Sequence, residues 1–121
     1  MRLAFANYLS DHSHVKAIFV GTRRTDPHGS ALKHFDRTDR GWPDFMRIHP
    51  VIDWRYADVW CFLRELGVGY CGLYDEGYTS LGGTGDTWPN PALKVAGQEK
   101  WRPAFELVKD EEERLGRSSG R

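Results

Sequence analysis

A short, mostly apolar run, Val15-Lys-Ala-Ile-Phe-Val20, leads straight into Gly21-Thr-Arg-Arg-Thr-Asp-Pro27, and this junction limits the fold more than any other part of the chain. β-branched and aromatic residues stopped by a glycine predict a buried strand that runs into a loop. In open α/β sheets, ligands bind beyond the carboxyl ends of the strands, where this heptapeptide falls. Arg23 and Arg24 are permanently charged planar forks suited to phosphate, and Gly21 lets a ligand approach the backbone with no Cβ in the way. Asp26 adds an acceptor for an imide or hydroxyl of the same ligand. Charge alone is equally compatible with a surface salt-bridge loop; the position after a strand favours the anion site.

At 121 residues, 40% hydrophobic and 28% charged, the chain has room for one globular domain of modest core. Lys plus Arg number 17 and so do Asp plus Glu, which leaves no basic field to draw nucleic acid or an acidic membrane face. Cys61 and Cys71 are too few and too uninformatively spaced for a disulfide framework or a zinc site, and reduced thiols are the plainer reading. The histidines at 12, 14, 28, 34 and 49 show no ligand spacing, and no Gly-x-Ser-x-Gly elbow occurs, so neither a metal site made wholly by this chain nor Ser-His-Asp catalysis is expected. No long apolar stretch suggests a signal or a span, and a cytoplasmic location follows as an expectation. The abrupt opening, with only Arg2 ahead of the helix-like Leu3, Phe5, Ala6, Tyr8 and Leu9, reads as a piece of a larger domain.

Met1 to about Asp11 is expected to be helical, Val15–Val20 and Met46–His49 to be strands, and the proline- and glycine-punctuated stretch 21–45 to be a long loop, functional or disordered. Tyr56–Leu66 is the clearest helix: Val59, Phe62, Leu63 and Leu66 form a core face and Gly67 sits at its left-handed terminus. Residues 72–91 should hold only brief regular structure, Trp101–Val108 reads as a last strand, Asp110–Leu115 as a short polar helix, and 116–121 as a frayed tail.

Two further constellations can carry chemistry. Tyr78-Thr-Ser-Leu-Gly-Gly-Thr-Gly-Asp-Thr-Trp-Pro-Asn-Pro91 is rich in hydroxyls and in glycines that expose backbone N–H groups to an anion, though it is no P-loop and also suits an ordinary connection. Arg114 and Arg117 are three residues apart; on a helix they would share a face and clamp a polyphosphate, and otherwise they belong to a solvated charged tail.

Taken in order, Ala17–Gly29, Trp42-Pro-Asp-Phe-Met-Arg47, Trp54 with Tyr56-Ala-Asp-Val-Trp60, Tyr74–Gly82 and Asp86-Thr-Trp-Pro-Asn-Pro-Ala-Leu93 resemble the C-terminal half of fungal-type FAD synthases, the FMN adenylyltransferases. The resemblance spans Phe5 to Arg117. It implies an α/β fold, a partial adenine-nucleotide α-hydrolase-like domain of the phosphoadenylylsulfate reductase type. That domain has a mostly parallel sheet and flanking helices, with its N-terminal part missing; residues 1–117 would form its C-terminal portion and 118–121 a disordered tail. Such enzymes join ATP and FMN into FAD and pyrophosphate with Mg2+. By motif, Gly21, Thr22, Arg23, Arg24, Asp26 and Pro27 match the flavin-binding loop, and Tyr78, Thr79, Ser80, Leu81 and Gly82 a loop lining the nucleotide side of the cleft. Arg114 and Arg117 match the paired arginines expected to contact phosphates and stabilise charge in adenylyl transfer, with no metal ligand supplied by the chain itself.

Three departures accompany the likeness. Nothing here matches the Ser-Gly-Gly-x-Asp loop that cradles ATP in the family's N-terminal half, Arg55 stands where a helix-capping threonine is common, and Gly69 where proline is common. The first leaves open a non-catalytic flavin-binding fragment that needs its ATP-binding half in trans. A phosphoadenylylsulfate reductase-like oxidoreductase is the remaining alternative, opposed by the lack of any cysteine after Cys71.

Overall fold

The computed structural model describes residues 1–117, so the expectation for 118–121 lies outside the described residues. The chain divides into two compact units, Met1–Trp54 and the remainder from Arg55. No described helix is long and apolar enough to cross a membrane.

In the first unit, α1 (Arg2–Asp11) anchors through Phe5, whose ring stacks on Phe45 at 5.6 Å and meets the edge of Trp42 at 6.3 Å. Three short strands follow, β1 (Ala17–Phe19), β2 (Phe35–Arg37) and β3 (Met46–Ile48), in the order β1-β3-β2. β1 is parallel to the central β3 with Ile18 opposite Arg47, and β2 is antiparallel to it with Asp36 opposite Arg47. Backbone bonds from Met46 to Lys16 (2.9 Å) and from Val20 to Ile48 (2.8 Å) carry the parallel ladder to the threshold of the Gly21 loop. β1 is not the buried strand expected: it lies at the edge of the described sheet and Phe19 is 75% exposed.

β2 interrupts the stretch expected to be loop. Phe-Asp-Arg has no apolar alternation, so its strand form is imposed by β3. The Arg47 side chain reaches across, donating from Nη2 to the Arg37 carbonyl at 2.7 Å and to Asp39 Oδ1 at 3.3 Å. Just beyond β3, the fully buried His49 donates from Nδ1 to the Lys33 carbonyl at 2.7 Å and from its backbone to His34 at 2.8 Å, fixing the start of β2.

The second unit is organised by α2 (Tyr56–Glu65). Its first residues lack a capping hydroxyl, since Arg55 has only donors. Two carboxylates replace it: Asp58 accepts the Arg55 amide at 2.8 Å and Asp110 accepts the Tyr56 amide at 3.0 Å. At the other end Gly67 adopts φ +61°, and bonds from Gly67 to Arg64 and from Val68 to Leu63 close a Schellman motif, as the sequence predicts. The buried face differs from the expected one. Tyr56 and Trp60 are buried with Leu63 packed beside them, while Phe62 and Leu66 are 46% and 64% exposed. The larger aromatic pair wins the core: the Trp60 ring has Tyr70, Tyr74 and Phe105 edge-on at 5.0, 5.3 and 6.2 Å, above Leu93, Ala104 and Leu107.

The strand expected over Trp101–Val108 shrinks to a single bridge between Trp101 and Lys94. Pro103 has no N–H to offer a ladder and instead starts a 3-10 turn, Ala104–Glu106, which buries Ala104. The polar helix expected at Asp110–Leu115 is likewise a 3-10 turn, Asp110–Glu112. Nor does a frayed tail begin at residue 116. Gly116 is buried with its carbonyl accepting from Trp88 at 2.8 Å, and Arg117 bridges to Thr87.

One buried side chain ties these irregular segments together. Asn90, with no exposed surface, donates from Nδ2 to Thr79 Oγ1 (2.8 Å) and to the Glu112 carbonyl (2.7 Å), and its Oδ1 accepts the Ala92 amide (2.9 Å). Thr79 Oγ1 in turn donates to the Glu113 carbonyl at 2.5 Å. Asn90→Ala removes these three bonds and is expected to destabilise the second unit by about 3 kcal/mol, at about 1 kcal/mol per bond, read as a lowered urea midpoint. Trp60→Ala should cost about 3–5 kcal/mol and abolish the near-ultraviolet circular dichroism of the aromatic cluster. An unchanged unfolding midpoint in either variant would contradict the packing described.

Candidate functional site

The Gly21–Pro27 loop of the first unit is built by its own charged residues. The Arg23 amide donates to Asp26 Oδ2 at 2.8 Å, the Asp26 amide returns to the Arg23 carbonyl at 3.0 Å, and the two side chains pair at 3.5 Å with Arg23 only 7% exposed. Gly29 closes the loop from behind, because a Cβ there would collide with the Arg23 carbonyl. Arg24 staples the loop to its surroundings: its amide donates to Ile52 O, Nε to Asp53 Oδ1 and Nη1 to Leu32 O, each at 2.7 Å. The Arg24 hydrogen bond holds the Asp53 carboxyl below the usual carboxylate range, and the same bond raises Arg24. Both arginines expected as forks for phosphate thus also make the loop's internal bonds. Gly21 and Pro27 are exposed and Thr22 is half-buried, and a Cβ at Gly21 would meet no protein atom within 4 Å, so this backbone is open to an approaching ligand.

The second unit brings Tyr78–Gly82, Arg114 and Arg117 together, though no helix does it. Arg117 and Arg114 are joined by a turn, Arg117 N to Arg114 O at 3.0 Å. Thr79 is buried under the Asn90 and Glu113 bonds, while Tyr78, Ser80 and Leu81 are half-buried. Arg114 is exposed and approaches Ser80 Oγ with Nη1 at 3.5 Å. The Arg117 guanidinium lies on Gly82, so that any Cβ there would overlap it, and donates from Nε to the Asp86 carbonyl at 3.1 Å and from Nη2 to Asp86 Oδ2 at 3.2 Å. Gly82 thus leaves open the space that the guanidinium occupies. The result is a hydroxyl- and glycine-lined loop carrying two guanidinium groups, a setting that can bind phosphate oxygens and neutralise charge on them.

Asp53, Asp86, Thr87 and Asn90 shape these two places; the last three lie within the 78–91 stretch but no individual role is legible for them in the sequence, and Asp53 lies outside it. Asn90 carried a weak signal, an amide between two prolines; Asp53, 29 residues from the arginine it holds, carried none. Among the described residues, no three or more His, Cys, Asp or Glu side chains gather as a metal-binding group.

The chain is 50% identical over 119 residues to a probable FAD synthase of Schizosaccharomyces pombe, an alignment covering 98% of this chain and 44% of that protein. In structure it is similar to the Candida glabrata FMN adenylyltransferase solved with FMN and the ATP analogue AMPCPP, at TM-score 0.90 and 32% identity over 97% of this chain and 55% of that one. The same enzyme solved with FAD and inorganic pyrophosphate gives TM-score 0.92 at 31% identity, over 100% of this chain and 54% of that one. The chain thus spans about half the length of the relatives it matches. With residues 3–89 matching the phosphoadenosine phosphosulfate reductase domain and the α/β fold in agreement, the chain belongs to that domain family.

Proposed function

We propose that this chain is the flavin- and phosphate-binding portion of an FMN adenylyltransferase, which converts ATP and FMN into FAD and pyrophosphate in the cytoplasm. The observation that carries this reading is the convergence of Arg114 and Arg117 on the 78–82 loop within a chain so similar to FAD synthases. In this reaction an FMN phosphate oxygen attacks the α-phosphorus of ATP as the bond to pyrophosphate breaks. The protein's task is positioning and charge stabilisation, and no side chain has to become a covalent nucleophile.

In this reading Gly21, Thr22, Arg23, Arg24, Asp26 and Pro27 bind the flavin substrate, with the exposed Gly21 backbone open to it and Asp26 positioned by the Arg23 amide. Tyr78, Thr79, Ser80, Leu81 and Gly82 line the nucleotide side, and the two arginines stabilise phosphate charge. In this reading Mg2+ enters with the phosphates of ATP. Residues 1–117 serve as the C-terminal portion of the domain, and its partner is the N-terminal half that relatives of about twice this length carry. Neither nucleic acid nor membrane is among the partners, in keeping with the balanced charge.

A second reading, a flavin-binding portion without catalysis of its own, is favoured by that same half-length coverage. The two separate in one assay: the chain is incubated with FMN, ATP and Mg2+, alone and with the remaining half of the domain supplied, and FAD is resolved by chromatography. FAD formed by the chain alone supports the first reading, and FMN binding with FAD formed only once the other half is present supports the second; in whichever mixture makes FAD, Arg117→Ala should lower turnover by about 10²–10³. Absence of both FMN binding and FAD formation, or wild-type turnover in Arg117→Ala, would overturn the assignment.

A further inference from the structure

We propose that Asp86 is the positioning residue for Arg117, an inference that rests on the phosphate role given to Arg117 above. A closed circuit of contacts supports it. The Gly82 amide donates to Thr87 Oγ1 at 3.1 Å, Thr87 Oγ1 donates to Asp86 Oδ1 at 3.1 Å, Asp86 Oδ2 accepts from Arg117 Nη2 at 3.2 Å, and the Arg117 guanidinium returns to lie on Gly82. The Asp86 backbone takes part at both ends: its carbonyl accepts Arg117 Nε at 3.1 Å and its amide donates to the Gly83 carbonyl at 3.2 Å.

The circuit has a chemical consequence. Asp86 occupies the Nε–Nη2 edge of the guanidinium with its carbonyl and carboxylate, so the fork can no longer rotate about its stem, and the opposite Nη1 end becomes the one that meets a phosphate oxygen. The Arg117 side chain is 16% exposed and the Asp86 side chain 43%, so the carboxylate works from the solvent side while the arginine is seated. The Thr87 hydroxyl first, and then Arg117, keep the Asp86 carboxyl below the usual carboxylate range, so it stays ionised at neutral pH and holds the arginine throughout. A long, rotamer-rich side chain is ordered before any ligand arrives, which is the condition for an electrostatic contribution that needs no reorganisation during reaction.

The test has two readouts. First, mass spectrometry follows phenylglyoxal modification of each arginine in the chain itself. Asp86→Ala should speed modification of Arg117 about fivefold, with Arg114 unchanged, and Asp86→Asn should fall between wild type and Asp86→Ala. Second, in the FAD-forming assay, Asp86→Ala should lower kcat about tenfold at an unchanged KM for FMN, and should lower it no further in the Arg117→Ala background. Gly82→Ala, which pushes the guanidinium aside without touching the carboxylate, should reproduce the kcat loss. Equal modification rates in wild type and Asp86→Ala, or losses that simply add in the double variant, would overturn the proposal. A chain that forms no FAD under any condition overturns the reading of function instead, and the modification rates alone then decide whether Asp86 holds Arg117.

Discussion

The Asn90 carboxamide is the bond centre on which the second unit's irregular chain depends. Residues 72–117 contain no strand or α-helix among the described residues, only 3-10 turns and isolated bridges, so they lack the periodic ladder that ordinarily satisfies backbone groups. A fully buried amide with both donors and its acceptor engaged does that work at one point, linking the 78–82 loop through Thr79 to the 110–117 segment through Glu112. Buried polar groups of this kind stabilise only when every partner is present. The apolar cluster around Trp60 supplies the mass of the core, but the course of the chain past residue 77 is set by hydrogen bonds.

Charged groups play the same organising part elsewhere. Asp110 accepts the Tyr56 amide at the start of α2, Asp53 secures Arg24, and Asp26 accepts the Arg23 amide. Each carboxylate meets a backbone or guanidinium donor that apolar packing could not satisfy. In both loops the arginines have two kinds of partner: the protein atoms that hold them, and in the proposed function the phosphates they face. An arginine already held on one edge is a better oriented donor than one free on the surface.

How much of this was legible in the sequence varies with the kind of interaction. α1, β1, β3 and α2 lie within a residue or two of where periodicity and turn residues put them, because these signals are local. The core face of α2 is partly legible: spacing favours Val59, Phe62, Leu63 and Leu66, and Leu63 does pack on the core, but the aromatic partners at 70, 74 and 105 select Tyr56 and Trp60 over Phe62 and Leu66. β2 was missed because Phe35-Asp-Arg37 becomes a strand only beside β3, and the strand expected at 101–108 failed at Pro103. At the candidate site, the 78–82 loop and the arginine pair can be picked out by residue type, whereas the role of Asp86 cannot: it lies 31 residues from the guanidinium it holds, and an aspartate in a glycine-rich loop carries no mark of such a partner.

The Asn90 junction also orders events in time as the polypeptide is made. Its partners lie 11 residues before it and 22 after it, and Thr79 reaches a carbonyl 34 residues downstream. A nascent chain that has emerged only as far as Asn90 can close the bond to Thr79 but has no Glu112 carbonyl to receive the second donor, and contacts of such separation form late because loop closure precedes their gain. The 78–82 loop therefore acquires its final shape only after the arginine segment has been synthesised, and the core face of α2 likewise waits for its partners at 104–110.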